Sequence, residues 1–154
     1  MSKSPEHDLQ TRCVTWFHYQ FPYLKPLFFS VPNGGYRNKA EAARLKAEGA
    51  NAGVSDLILQ LPAGKWSSLN IEMKAGSSQR EEQKVYQTCV QASGGRYELC
   101  RSYEQFVDLV IEYISQVDGR ILEQIRLIHF EREEEEKRRI RERYQKRISK
   151  TLKP

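Results

Sequence analysis

Apolar residues recur along the chain at two spacings, one typical of helices and one typical of strands. A stripe at helical spacing predicts a first helix over residues 6–20, which Phe21-Pro22 ends. Short apolar runs predict strands, and these lie at residues 27–31, 56–61, 69–74 and 96–101. The pattern therefore alternates helices with strands over the first two thirds of the chain.

Polar residues before apolar stripes mark three further helix starts. Asn38 is a candidate cap for a helix over residues 39–48, with Gly49 as its stop. Ser78 and Glu81 form a capping-box pattern for a helix to Ser93, and Ser102 and Gln105 form another for a helix to about Val117. The order of elements predicts a mixed α/β sheet with helices on both faces.

Beyond Gly119 the pattern changes into a charged helical tail, so we predict two segments, residues 1–117 and 118–154. Ile121, Ile125 and Ile128 continue a helical stripe, and acids then precede bases along the chain. From residue 137 onward nine lysines and arginines stand against one acid, a net charge of +8. Since the chain carries +5 in total, residues 1–136 carry −3.

Three interpretations of this tail stay open. Ile140, Tyr144, Ile148 and Leu152 recur at intervals of four residues and form a narrow helical seam that would join two chains. The basic residues would alternatively bind a phosphate backbone in a salt-dependent way. A run of like charge is also typical of a segment that only keeps a protein soluble.

Composition narrows the class of protein. The 154 residues suffice for about one domain with a genuine core, and 39% of them are hydrophobic. No apolar run approaches the roughly 20 residues that cross a bilayer, and residues 1–8 lack the apolar core of a secretory signal. The three cysteines form no metal-binding pattern. We therefore expect a reduced, cytoplasmic protein without structural zinc and without a membrane partner.

The candidate chemistry lies on two neighbouring apolar runs. Asp56 begins one run, and Glu72 and Lys74 stand two residues apart at the end of the next. Because side chains alternate along a strand, Glu72 and Lys74 share a face while Ile71 and Met73 take the other. If the two runs pair as neighbours, two carboxylates and an ammonium meet, as a divalent metal and a phosphodiester require.

Simpler interpretations exist for each of these residues. Asp56 alone is typical of a turn before a strand, and Glu72 with Lys74 is typical of a solvated pair. The glycine-containing segment around Asn33 and Gly34 predicts either a plain turn or a loop that contacts a DNA backbone, with Arg37 and Lys39 as phosphate partners.

These motifs resemble the VRR-NUC (virus-type replication-repair nuclease) family of the PD-(D/E)xK nucleases. The resemblance extends over residues 6–114. It depends on the following residues: Glu6, Pro32-Asn33-Gly34-Gly35, Gly53-Val54-Ser55-Asp56-Leu57, Glu72-Met73-Lys74 and Gln83. Ser55 departs from the family pattern, which has a proline before the aspartate. The fold implied is the restriction-endonuclease-like core, a mixed sheet flanked by helices.

The resemblance also implies roles for individual residues. Asp56, Glu72 and the Met73 carbonyl would hold Mg²⁺, for which Mn²⁺ would substitute, and Glu6 would reach the metal or its water from the first helix. Lys74 would orient the attacking water, and Gln83 would lie beside Lys74 and the scissile phosphate. From the residues alone, the simpler interpretations are preferred: Glu6 as an acid favoured by the helix dipole and Gln83 as an ordinary surface glutamine.

The function implied is a Mg²⁺-dependent, structure-selective DNA endonuclease that leaves 5′-phosphates. Small stand-alone relatives imply a homodimer acting on branched DNA such as four-way (Holliday) junctions, in phage replication, repair or recombination. Flaps, single strands and RNA remain alternative substrates. A rival from another class is a non-catalytic nucleic-acid-binding protein that acts through its basic tail.

Overall fold

The structure is a computed structural model that describes residues 5–31 and 39–151. Internal contacts divide the chain into two units, with the boundary between Val117 and Asp118. The first unit contains the sheet and its helices, and the described part of the second is one long helix.

The elements of the first unit follow the predicted order of helices and strands. Its helices are α1 (Pro5–Gln20), α2 (Lys39–Ala47), α3 (Glu81–Ala92) and α4 (Tyr103–Ser115), and a 3₁₀ turn, Pro22–Leu27, follows α1. Its strands are β1 (Phe28–Ser30), β2 (Leu57–Leu59), β3 (Leu69–Met73) and β4 (Arg96–Cys100).

The four strands form one mixed sheet in the order β1-β2-β3-β4. β1 pairs with β2 and β2 with β3 in antiparallel fashion, whereas β3 and β4 are parallel. A parallel neighbour needs a crossover, and α3 supplies it. Every residue of β3 is buried, so this strand has no solvated face.

Aromatic side chains hold α1 and α4 against one face of the sheet. The ring of Phe17 stacks on Phe28 of β1 with centroids 4.0 Å apart, and Phe28 also contacts Phe106 of α4. Trp16 packs edge-on against Phe106. At the far end of α4, the buried Tyr113 hydroxyl donates to the Leu61 carbonyl over 2.7 Å. The opposite face of the sheet is covered by α3, so helices lie on both faces as predicted.

The predicted start of α3 is wrong by two residues, because the cap is Arg80 and not Ser78. Ser78 and Glu81 match the capping box locally, yet the helix begins at Glu81 with Arg80 as its cap residue. Tertiary contacts hold the preceding loop extended, because Ser77 bonds to Glu6 and Gln79 bonds to Tyr97. Gln83 performs the predicted capping function of Glu81, since its Oε1 accepts from the Arg80 amide over 2.9 Å.

The other boundaries differ by two residues or fewer. β2 ends at Leu59 rather than Leu61, and it pairs with β1 over three residues. Ser102 caps α4 as predicted and accepts a hydrogen bond from the Gln105 amide over 3.2 Å. The predicted cap Asn38 lies outside the described residues.

The second unit is the 33-residue helix α5 (Gly119–Thr151). Ion pairs along its surface include Lys137 with Glu134 and Arg139 with Glu135. None of the helices that the structure describes is long and apolar enough to cross a membrane. The chain has three free cysteines: Cys13 and Cys100 are buried, and Cys89 on α3 is exposed.

Candidate active site

The pairing of β2 with β3 brings the two predicted carboxylates together. Leu57 pairs with Ile71, so the same register continued by one residue places Asp56 opposite Glu72. Asp56 accepts a hydrogen bond at Oδ2 from the Met73 amide over 2.9 Å. This bond fixes the carboxylate against β3. Asp56 precedes β2 directly, as a turn residue would, and its role as a metal ligand stays a prediction.

Glu72 is buried among hydrogen-bond donors. Its Oε1 accepts from the Lys74 ammonium at 3.1 Å and from the Gln83 amide nitrogen, and its Oε2 accepts from the Tyr97 hydroxyl over 3.3 Å. Glu72 is only 1% exposed and Lys74 only 7%. The interpretation of Glu72 and Lys74 as a solvated pair is therefore wrong, because α3 covers this face of β3.

Burial and mutual repulsion raise the pKa values of both carboxyl groups. Burial, together with the charge of Asp56, raises the pKa of Glu72 to about 7, although Lys74 opposes the shift. Burial also raises the pKa of the Asp56 carboxyl against the opposing hydrogen bond from Met73. The carboxylates of Asp56 and Glu72 are both partly removed from water, and the ammonium of Lys74 balances one of their two charges. A bound cation would balance the other.

Gly53 places the loop that carries Asp56 directly on the first turn of α3. Its φ is +86°, and a Cβ built there would lie 2.5 Å from the carbonyl carbon and oxygen of Glu82. Only glycine permits this approach without strain. As a consequence, the loop before Asp56 and the helix turn that carries Gln83 are in backbone contact, which links the positions of two predicted site residues.

Glu6 lies beside this group but faces the loop after β3. Its Oε1 accepts from the Ala75 amide over 3.2 Å and from the Ser77 hydroxyl over 2.8 Å. The Ser77 hydrogen bond lowers the pKa of Glu6, and the charge of Lys74 acts in the same direction. Glu6 in turn raises the pKa of Asp56, so the two carboxylates interact.

The donor set fits a hard divalent cation. Asp56, Glu72 and the Met73 carbonyl would supply oxygen ligands, which Mg²⁺ prefers while it keeps several waters. Within residues 5–31 and 39–151, no three His, Cys, Asp or Glu side chains form a group that could hold a metal ion. The hydrogen bonds of Glu6 to Ala75 and Ser77 occupy one of its oxygens, so its predicted part in metal binding remains a prediction.

Three polar side chains around Glu72 and Asp56 were missed by the sequence reasoning. Tyr97 of β4 donates to Glu72 and accepts from Gln79 over 3.4 Å. Tyr86 of α3 donates to Asn70 of β3 over 3.0 Å. Asn70, Glu72 and Lys74 stand two residues apart in the sequence. Because side chains alternate along a strand, this spacing indicates that Asn70 lies on the same face as Glu72 and Lys74.

The buried Ser55 belongs to the same polar layer. Its hydroxyl lies 3.4 Å from the Leu57 carbonyl oxygen and 3.5 Å from Asn70 Oδ1. The residue that departs from the family pattern thus has polar partners that a proline side chain cannot bond. The predicted DNA contacts Asn33, Gly34 and Arg37 lie outside the described residues, and of Lys39 only the backbone is described, at the start of α2.

Comparisons with known proteins add evidence on the fold. One solved structure, a VRR_NUC domain protein, superposes with a TM-score of 0.65 at 24% sequence identity, covering 77% of this chain and 94% of that chain. No protein-family model matches the chain, and no curated protein matches it. The likeness establishes a fold of the VRR-NUC type, and it confirms the predicted mixed sheet flanked by helices.

Proposed function

We propose that this protein is a metal-dependent DNA endonuclease, with branched DNA such as four-way junctions as its substrate. The observation that carries the proposal is Asp56 opposite Glu72, with Lys74 bonded to Glu72 at 3.1 Å, at one place in a sheet of the VRR-NUC type. A protein that only binds nucleic acid gains nothing from holding a buried and a half-buried carboxylate beside one lysine.

Each side chain of the site would have its own role in the reaction. Asp56, Glu72 and the Met73 carbonyl would hold Mg²⁺ or Mn²⁺, which when bound stabilises charge on the phosphate and activates water. Lys74 would release part of its contact with Glu72 to orient the attacking water and offset charge developing on the phosphoryl oxygens. Gln83 would keep Glu72 oriented and lie near the scissile phosphate. Hydrolysis in this manner breaks the bond to the 3′-oxygen and leaves a 5′-phosphate.

Branched DNA is proposed from the likeness in fold together with symmetry. Resolving a four-way junction takes two paired nicks, and two copies of the chain related by a two-fold axis would supply two sites. A homodimer is therefore part of the proposal.

A cleavage assay tests the chemistry directly. We expect the wild-type protein to nick a labelled four-way junction with Mg²⁺ and to stop in EDTA. Asp56→Asn and Lys74→Met should each lower the rate at least about 100-fold. Asp108→Asn, which changes an exposed acid on α4, is the matched control and should retain the wild-type rate. Resealing of the nicks by DNA ligase would verify the 5′-phosphate.

Substrate choice needs a separate comparison. The ratio kcat/KM for the junction should exceed the ratios for a flap, a single strand, a linear duplex and an RNA hairpin of matched sequence. A higher ratio for one of these would replace branched DNA as the substrate. A wild-type protein that cuts no DNA or RNA with Mg²⁺ or Mn²⁺ would remove the nuclease proposal itself.

A further inference from the structure

A groove lies between α1 and β1, which is an edge strand of the sheet. The groove has a volume of about 440 Å³, within the range of sites that bind small molecules. Phe28 and Leu57 line it from the sheet, and Val14 lines it from α1. Since Phe28 and Leu57 are buried core residues, the floor of the groove is apolar.

The polar side chains that line the groove are amides, hydroxyls and imidazoles. His7, Gln10, Thr11 and His18 lie along one face of α1, because residues three, four and seven positions apart share a helix face. None of the described lining residues is an aspartate, a glutamate, a lysine or an arginine, and the last two are the usual partners of phosphate. Burial and the charge of nearby Lys25 lower the pKa of His18, which favours its neutral form. The groove therefore suits an uncharged ligand with apolar faces and hydrogen-bonding edges.

One end of the groove lies at the candidate active site. Leu57 lines the groove and directly follows Asp56 in the chain. His7 lines it as well and directly follows Glu6, whose carboxylate accepts from the Ala75 amide over 3.2 Å. Two separate segments of the chain therefore connect the groove with the residues proposed to cleave DNA.

We propose that the groove receives an unpaired nucleobase of the strand that the protein cuts, next to the scissile phosphate. A base is uncharged and has apolar faces and hydrogen-bonding edges, so its chemistry matches the lining of the groove. The amide of Gln10 and the imidazole of His18 both donate and accept hydrogen bonds, and the His18 ring offers a surface for stacking. The choice of a nucleic-acid ligand rests on the nuclease function proposed above, and the groove narrows its substrate to branched DNA with an unpaired nucleotide beside the cut.

A peptide strand added to this edge of the sheet fits the structure less well. β1 contains three residues, and the backbone groups of Leu27 and Val31 on either side of it bond to the neighbouring β2 segment. Because bonding alternates along an antiparallel pair, Phe28 and Ser30 have their backbone groups directed outward. The Phe28 amide already donates to the Lys25 carbonyl. The outward-facing edge that remains is too short for stable pairing with another strand.

Binding of single-stranded DNA to the full chain in EDTA tests the groove without cleavage. The wild type should bind a short single strand at least about 10-fold more tightly than an abasic strand of the same length. Contacts of the basic tail with phosphates are common to both strands, so they do not contribute to this ratio. Thr11→Trp should abolish the difference between the two strands, because the indole would fill the groove.

Thr88→Trp is the matched control. Both threonines are exposed on helices, and each hydroxyl donates to the carbonyl four residues earlier, over 2.8 Å for Thr11 and 2.9 Å for Thr88. Thr88 lies on α3 and does not line the groove, so its variant should keep the wild-type preference for the strand with bases.

Circular dichroism and thermal unfolding show whether Thr11→Trp keeps the fold. If it does not, His18→Ala takes its place and should reduce the difference between the strands at least about 3-fold. Equal affinity of the wild type for the two strands overturns the proposal, and so does a full difference that the folded variant retains. A protein that prefers the strand with bases but cuts no nucleic acid would keep the groove as a base-binding site and remove the nuclease proposal. A protein that cuts but binds both strands equally would do the reverse.

Discussion

At the scale of single residues, Glu72 is the most constrained side chain of the candidate site. Three donors from three places in the chain (Lys74, Gln83 and Tyr97) bond its two oxygens. The sequence predicted that Glu72 and Lys74 share a face, because alternation along a strand is a local property. Tyr97 was not predictable in the same way, since its contact depends on the parallel pairing of β4 with β3.

The raised pKa of Glu72 predicts a pH-dependent stability in the metal-free protein. The folded-state pKa is about 7 and the ordinary value 4.5, so the folded chain binds more protons between these pH values. Stability should therefore fall as pH rises through this range, by on the order of 2 kcal/mol. Urea unfolding in EDTA at pH 5 and pH 8 measures the loss, and Glu72→Gln should flatten it.

The same unfolding measurement with Mg²⁺ present tests whether Glu72 helps to hold the metal. If Glu72 helps to hold the metal, Mg²⁺ should raise the free energy of unfolding of the wild type at pH 8 and leave Glu72→Gln nearly unchanged. In the metal-free measurement, an equal pH dependence of the free energy of unfolding in the wild type and in Glu72→Gln would contradict the assignment of the titration to Glu72.

Two tyrosine-to-phenylalanine variants distinguish the loss of a hydrogen bond that orients Glu72 from a general effect on packing. Tyr97→Phe removes the hydroxyl that donates to Glu72, and Tyr86→Phe removes one that donates to Asn70 instead. Because partners of metal ligands tune affinity, Tyr97→Phe should raise the Mg²⁺ concentration for half-maximal cleavage about 10-fold or more. Tyr86→Phe should leave it within about 2-fold, and equal shifts for both would indicate a general packing effect.

At the scale of elements, local patterns predicted the succession of helices and strands but not every boundary. Ser102 caps α4 as its local pattern predicted, and its hydroxyl accepts from the Gln105 amide. The similar pattern at Ser78 fails because contacts of Ser77 with Glu6 and of Gln79 with Tyr97 hold the loop extended. Contacts between residues about 70 positions apart, such as Ser77 with Glu6, leave no trace in a local sequence pattern.

Alanine variants at two glycines test whether the backbone contact between the Asp56 loop and α3 contributes to stability. Gly53 and Gly49 both have positive φ, +86° and +95°, so alanine at either position costs about 1 kcal/mol of strain. A Cβ at Gly49 meets open space, whereas one at Gly53 meets the Glu82 backbone at 2.5 Å. Gly53→Ala should therefore lose at least about 2 kcal/mol more stability in urea unfolding than Gly49→Ala. Equal losses would show that the contact yields easily.

At the scale of the whole molecule, the hydrophobic core and α5 belong to different units. Every buried apolar side chain that the structure describes lies between Cys13 and Val117. The predicted division into residues 1–117 and 118–154 remains a prediction that truncation tests.

A chain truncated after Val117 should unfold cooperatively with a Tm within a few degrees of the full chain, because no buried core residue is removed. Metal-dependent cleavage should also persist, because Asp56, Glu72 and Lys74 all lie in the retained unit. Thermal unfolding and the cleavage assay measure the two properties. A truncated chain that fails to fold would mean that α5 contributes to the stability of the first unit.

The distribution of the three cysteines has a practical consequence for these experiments. Burial raises the pKa of the Cys13 thiol to about 11 and that of Cys100 to about 12, so both remain protonated and shielded near neutral pH. Cys89 is exposed on α3, the helix that also carries Gln83. A maleimide dye should therefore attach to the native chain at one place, on the outer surface of α3, without any engineered cysteine.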